Sequence, residues 1–157
     1  MNKVRIFLTL DINTRLFFLE AFIFLGWARI LKCFPFNKVA PSLGEHMNET
    51  SFSHEDMNIK VLKKVSQSIQ IMSRYTFWES QCLVRAIAGM KMLERRRIES
   101  TLYLGTGKDE FGRFAAHAWL RSGHYYITGA DGMEKYNVVS MFARTFSNEN
   151  IEGEGNE

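Results

Sequence analysis

Cysteine is nearly absent from this chain of 157 residues: only Cys33 and Cys82 occur, far apart and in unlike surroundings. Two cysteines so placed argue against a disulfide framework and fit a reducing, cytoplasmic setting. Neither has a second cysteine or a histidine at metal-ligand spacing, so a zinc site is not expected and no cofactor is implied. Proline is equally scarce, at two residues, which points to well-formed elements with few rigid turns. Lys/Arg clusters interleaved with aromatics are missing, which argues against nucleic acid as a partner. Long charge-free apolar runs are missing too. The stretch from Leu16 to Phe36 comes nearest, but Glu20, Arg29 and Lys32 interrupt it well short of the roughly 18 residues a membrane span requires. Asp11 and Arg15 break the earlier apolar run, and no small-residue cleavage site follows, so a secretory signal is not expected either.

What the chain does have is apolar mass. Apolar residues make up 46% and aromatics 13%, enough for one domain with a core of its own. The net charge is +3, and without the four glutamates of residues 147–157 the remainder stands at +7. A diffuse basic surface accounts for this, and an acidic peptide partner would also fit. The segment from Leu16 to Phe36 reads as a helix apolar on most of its surface, capped by Asp11 or Asn13 and stopped by Pro35. Such a helix is covered by its own domain, a partner protein or a membrane surface.

Residues 37–55 read as a polar connection. Ser53 with Asp56 then resembles a capping box for a second helix whose stripe is Leu62, Val65, Ile69 and Met72. A third helix starts near Ser80, with Leu83, Ala86, Ile87, Met90 and Leu93 inside. Its basic end, Arg95 to Arg97, reads as a solvated helix terminus. The period then changes to two: strands are expected over 100–106, 114–121 and 124–128, joined by short turns into an antiparallel sheet. Helices first and strands later define an α+β fold. The acidic end, 147–157, reads as a flexible tail.

Two residues carry chemistry in this arrangement. Cys82 falls at the start of the third helix, where backbone N–H groups and the helix dipole favour a thiolate. His117 falls in the second strand and shares a face with Trp119 and Arg121, while Ala116, Ala118 and Leu120 take the other. A histidine beside a thiol serves as its base and then as general acid, and the pair together suggests thiol acyl transfer, most simply peptide-bond hydrolysis. Singly, each residue has a plainer reading: a buried cysteine as a small hydrophobe, a strand histidine as a surface group. His46, His54 and His124 read as surface residues.

Between Phe77 and Phe142 the chain resembles the transglutaminase-like leader peptidases of lasso-peptide biosynthesis. The matching pieces are Trp78 and Cys82-Leu83-Val84-Arg85-Ala86, then Leu93-Glu94-Arg95-Arg96-Arg97-Ile98, Ala116-His117-Ala118-Trp119-Leu120 and Tyr126-Ile127-Thr128-Gly129. Glu20-Ala21 and the connection from Pro35 to Gly44 extend it more loosely. The resemblance implies an N-terminal helical region over 1–72 and a transglutaminase/papain-like catalytic core over 73–146, with the cysteine-bearing helix packed on a small antiparallel sheet. It implies Cys82 as nucleophile and His117 as base, with Trp78 and Trp119 lining the site. The Cys82 N–H and, at an offset unlike papain's, the Gln81 amide are candidate oxyanion donors.

The resemblance also implies an acid that orients the histidine. Its usual position falls near Thr128-Gly129, which holds no carboxylate; Asp131 is the nearest, and reads equally as a turn residue before Gly132. The implied substrate is the leader of a ribosomally made lasso precursor peptide. The implied partners are a separate leader-recognition protein and the lasso cyclase. A fold that has kept its shape as a non-catalytic peptide-binding scaffold, or an acyl transferase to an amine, are the alternatives.

Overall fold

A computed structural model describes residues 2–53, 58–76 and 81–146. Helix α1 (Lys3–Thr9) leads into the long α2 (Ile12–Leu31). A short α3 (Phe36–Val39) runs through a 3₁₀ turn (Ala40–Leu43) into a two-residue strand β1 (Glu45–His46). Helices α4 (Ile59–Met72) and α5 (Cys82–Glu94) follow. Strands β2 (Ser100–Lys108), β3 (Phe114–Ser122), β4 (Tyr125–Thr128) and β5 (Tyr136–Arg144) complete the chain. The fold is α+β: one antiparallel sheet of order β1-β5-β2-β3-β4, with helices on one face. Among the described residues, no helix is long and apolar enough to cross a membrane.

Local chemistry sets the helix limits. Asp11 caps α2, accepting from the N–H and hydroxyl of Thr14, and those hydrogen bonds hold its carboxyl below the usual carboxylate range. The helix ends at Leu31, four residues before Pro35, which instead precedes the first residue of α3. Helix α4 is capped by Asn58, whose side chain accepts from the Val61 N–H at 3.2 Å, and not by Ser53. The expected capping partner Asp56 and His54 lie outside the described residues.

The core lies between the helices and the inner face of the sheet. Ala21, Leu25 and Ala28 of α2 face Leu62, Val65 and Ile69 of α4, together with Val84, Ile87, Met90 and Leu93 of α5, all nearly inaccessible to water. At ~1.5–3 kcal/mol for each large side chain buried, this seam supplies most of what opposes chain entropy. Leu102 of β2 and Leu120 of β3 close the core from the sheet side, and Leu120 lies so near α5 that a Cβ on Gly89 would come within 2.8 Å of its Cδ2.

Glu20, which breaks the apolar run of α2, is buried and paired. Arg96 grips it with two hydrogen bonds of 2.7 and 2.8 Å, and Arg95 adds an ion pair at 3.2 Å. The arginine run is therefore not simply a solvated helix end. Removing one partner of a buried pair leaves the other charge uncompensated, so these arginines fasten α2 to the end of α5.

The connection over 37–55 is more ordered than its polarity suggests. Residues 49–52 form a strap across the sheet face turned away from the helices. Thr50 is buried, its N–H and hydroxyl meeting Thr101 Oγ1 at 2.9 and 2.7 Å. Beneath the strap lies Arg121, fully buried, bonded to Tyr103, Glu49 and the Thr50 carbonyl and stacked 3.6 Å from the centre of the Phe52 ring. Each pole of the guanidinium is met, which is what permits a charge at that depth. Burial, together with its bond to Glu49, pushes the Tyr103 hydroxyl up to about 12, so it stays a neutral donor.

Candidate active site

Cys82 is the first residue of α5, and Gln81 is its N-cap. The thiol is half-buried and rests against the helix-side core. The first N–H groups of a helix have no partner within it, so the segment opens on donors and a positive dipole end. The Gln81 Oε1 accepts a hydrogen bond from Lys32, which joins the end of α2 to the start of α5. Cys33, by contrast, is exposed beyond the end of α2, with its sulfur 3.6 Å from Arg29 Nη1. Trp78 lies outside the described residues.

His117 sits on β3 opposite Gly105 of β2. Its Nε2 is 2.8 Å from the Gly129 carbonyl oxygen. A carbonyl only accepts, so Nε2 carries the proton, and in the neutral ring Nδ1 is left as the acceptor. Aromatics hold the ring plane. Tyr136 lies 5.0 Å away, Trp119 stacks at 5.7 Å, and Trp119 stacks in turn on Tyr103 at 5.5 Å. A Cβ on Gly105 would fall 2.9 Å from both the Trp119 ring and Tyr136, so the opposing strand has no room for a side chain under the histidine.

The carbonyl is where it is because of its glycine. Gly129 has φ +73°, and a Cβ there would lie 2.4 Å from the Ala118 carbonyl oxygen. Only glycine takes this conformation at such close approach. The chain turns here directly after β4, and the turn aims the carbonyl back at β3.

Asp131 is placed differently from the carbonyl. It is exposed two residues further on and lines a cavity of about 320 Å³ with Ser66, Gln70, Arg85, His117 and Thr128. The group on Nε2 is the Gly129 carbonyl, standing at the position the family resemblance reserves for a carboxylate. We expect Asp131→Asn to keep turnover within about threefold of the parent in a peptide-cleavage assay, since Asn serves the same turn. A loss of about a hundredfold would instead assign the orienting role to its carboxylate.

The cavity joins His117 to α5 through Arg85, one turn along from Cys82. Cys82 is not among the cavity's described lining, and among the described residues no hydrogen bond joins it to His117. Strand alternation gives the reason. Ala118 and Leu120 belong to the helix-side core, while Trp119 and Tyr103 are buried outside it, so His117 stands on the far face. Its ring meets the helix side only past the end of β4, which stops at Thr128. Sequence reasoning gave no role to Gly105 or Tyr136, and named Gly129 only as the place near which a carboxylate was expected. A glycine directly after the short strand Tyr125–Thr128 was the one visible sign of a close approach there.

A cysteine opening a helix that packs on an antiparallel sheet and a histidine held on that sheet are the residue types that thiol-dependent acyl transfer uses. The profile of the transglutaminase-like superfamily matches residues 27–141, and the chain belongs to that superfamily. That superfamily generally contains cysteine-dependent enzymes, of a fold shared by cysteine peptidases and acyl transferases. No curated protein and no solved structure matches the chain.

Proposed function

We propose that this protein is a cysteine peptidase that removes the leader of a lasso-peptide precursor, acting with a separate leader-recognition protein. The observation that carries the reading is the state of His117: Nε2 donates to a fixed carbonyl, which leaves Nδ1 as the base. In this reading Nδ1 takes the thiol proton of Cys82, and the thiolate attacks the scissile carbonyl carbon. The backbone N–H of Cys82 receives the developing oxyanion. The C–N bond breaks, His117 gives its proton to the leaving amine, and a thioester to the leader remains. Water, deprotonated by His117, then releases the leader acid and restores the thiol. The new amino terminus passes to a cyclase.

The helices α4 and α5 and the strands β2 to β4 all contribute residues to the core, and in this reading leader recognition is left to a separate protein. We therefore expect slow or no processing by this chain alone and rapid processing once the recognition protein is present. Mass spectrometry of the precursor incubated with and without that protein reads the outcome directly. Equal rates in both would overturn the division of labour. A product joined to an amine would reassign the activity to acyl transfer, and an unchanged precursor under both conditions would favour a non-catalytic scaffold.

A further inference from the structure

The outer side of α2 carries an uninterrupted apolar stripe. Ile12, Leu16, Leu19, Ile23, Trp27 and Ile30 recur at helical spacing, each between 50% and 64% exposed. Across 20 residues this stripe is about 30 Å long. The opposite side of the helix is fixed in the core by Ala21, Leu25 and Ala28 and anchored by the Glu20–Arg96 pair. The helix can therefore present one face only, lying flat, and cannot insert end-on. Helix α1 adds apolar surface of its own: it buries none of its residues, and its Val4 and Leu8 are about 60% exposed.

Charge frames this stripe at both ends. Lys3 and Arg5 stand exposed on α1, and Lys32 and Lys38 beyond the end of α2. Of the two acids in the first 40 residues, Glu20 is consumed by Arg95 and Arg96, and Asp11 is turned to its own helix N-terminus. Between α1, α2 and the end of α4 runs a nearly all-apolar groove of about 460 Å³ with Lys3 at its rim. Four of the six stripe residues precede the region shared with the superfamily.

We infer that this face docks on an anionic lipid surface, with α1 and α2 lying in the interface plane. Apolar side chains with an indole among them, flanked midway by Arg95 and Arg96, and bases at both ends are the composition of an interfacial helix.

The test is flotation of the full chain with phosphatidylcholine vesicles and with vesicles containing about 30% phosphatidylglycerol. The expected result is binding to the anionic vesicles that weakens with salt. Leu19→Glu/Ile23→Glu should reduce binding at least about tenfold, with an unchanged melting curve because both residues point outward. Lys3→Glu/Arg5→Glu should remove the preference for anionic lipid. Equal failure of parent and variants to float would overturn the inference. A discrete dimer, dissolved by Leu19→Glu/Ile23→Glu and indifferent to vesicles, would overturn it in favour of a second copy. Capture of a pathway protein without vesicle binding, lost in the same variant, would overturn it in favour of that protein. None of these readouts depends on peptidase activity.

Discussion

Cys82→Ala is expected to reduce leader cleavage by roughly a thousandfold or more, to background, while the fold persists. The thiol is half-buried at the first position of α5 and, although it rests against the core, it is not one of the fully buried core side chains. Alanine keeps the helix start and removes only the nucleophile. Cys33→Ala should leave activity largely unchanged, because that thiol sits exposed just past the end of α2, with Arg29 as its neighbour. A cleavage assay read by mass spectrometry, with circular dichroism on the same samples, separates loss of chemistry from loss of fold. Comparable cleavage by the Cys82→Ala protein would falsify the nucleophile assignment.

Gly129→Ala should lower kcat by about a hundredfold. The added Cβ would meet the Ala118 carbonyl oxygen at 2.4 Å in a backbone with φ +73°, so the turn must shift. Its carbonyl then leaves Nε2 of His117, and the ring loses the acceptor that fixes its tautomer. Strain of this kind also costs about 1–3 kcal/mol of stability. Gly132→Ala provides the comparison. Gly132 has a similar φ of +77°, but a Cβ there meets nothing within 4 Å. That variant carries the backbone strain without disturbing the histidine, and its activity per folded molecule should match the parent. Equal kcat losses in both variants would refer the effect to strain alone.

Much of the half from α5 to β4 is legible in the amino-acid sequence. The apolar stripe of α5 and the period-two runs of β2, β3 and β4 are local signals, and the strands begin and end within two residues of expectation. The shared face of His117, Trp119 and Arg121 follows from alternation alone. Strand β5 carries no such signal. Its first half is exposed at Val138 and Val139, and its pairing with β2 shifts register at Leu104/Gly105, so no clean alternation marks it. The strap is equally hidden, because its order comes from Arg121 and Thr101, 51 or more residues away. The carboxylate expected near Thr128 could not be replaced by inference from side chains, because the group in its place belongs to the backbone.

That substitution of main chain for side chain changes how the site meets acid. A carboxylate that steadies an imidazole stops accepting once it is protonated, and the histidine then loses its partner as pH falls through the carboxylate range. The Gly129 carbonyl has no proton to gain in that range. Its hold on His117 survives wherever the turn itself is folded. Heritable change is limited in the same way: no codon encodes a carbonyl, and the acceptor can be withdrawn only by bending the chain that carries it.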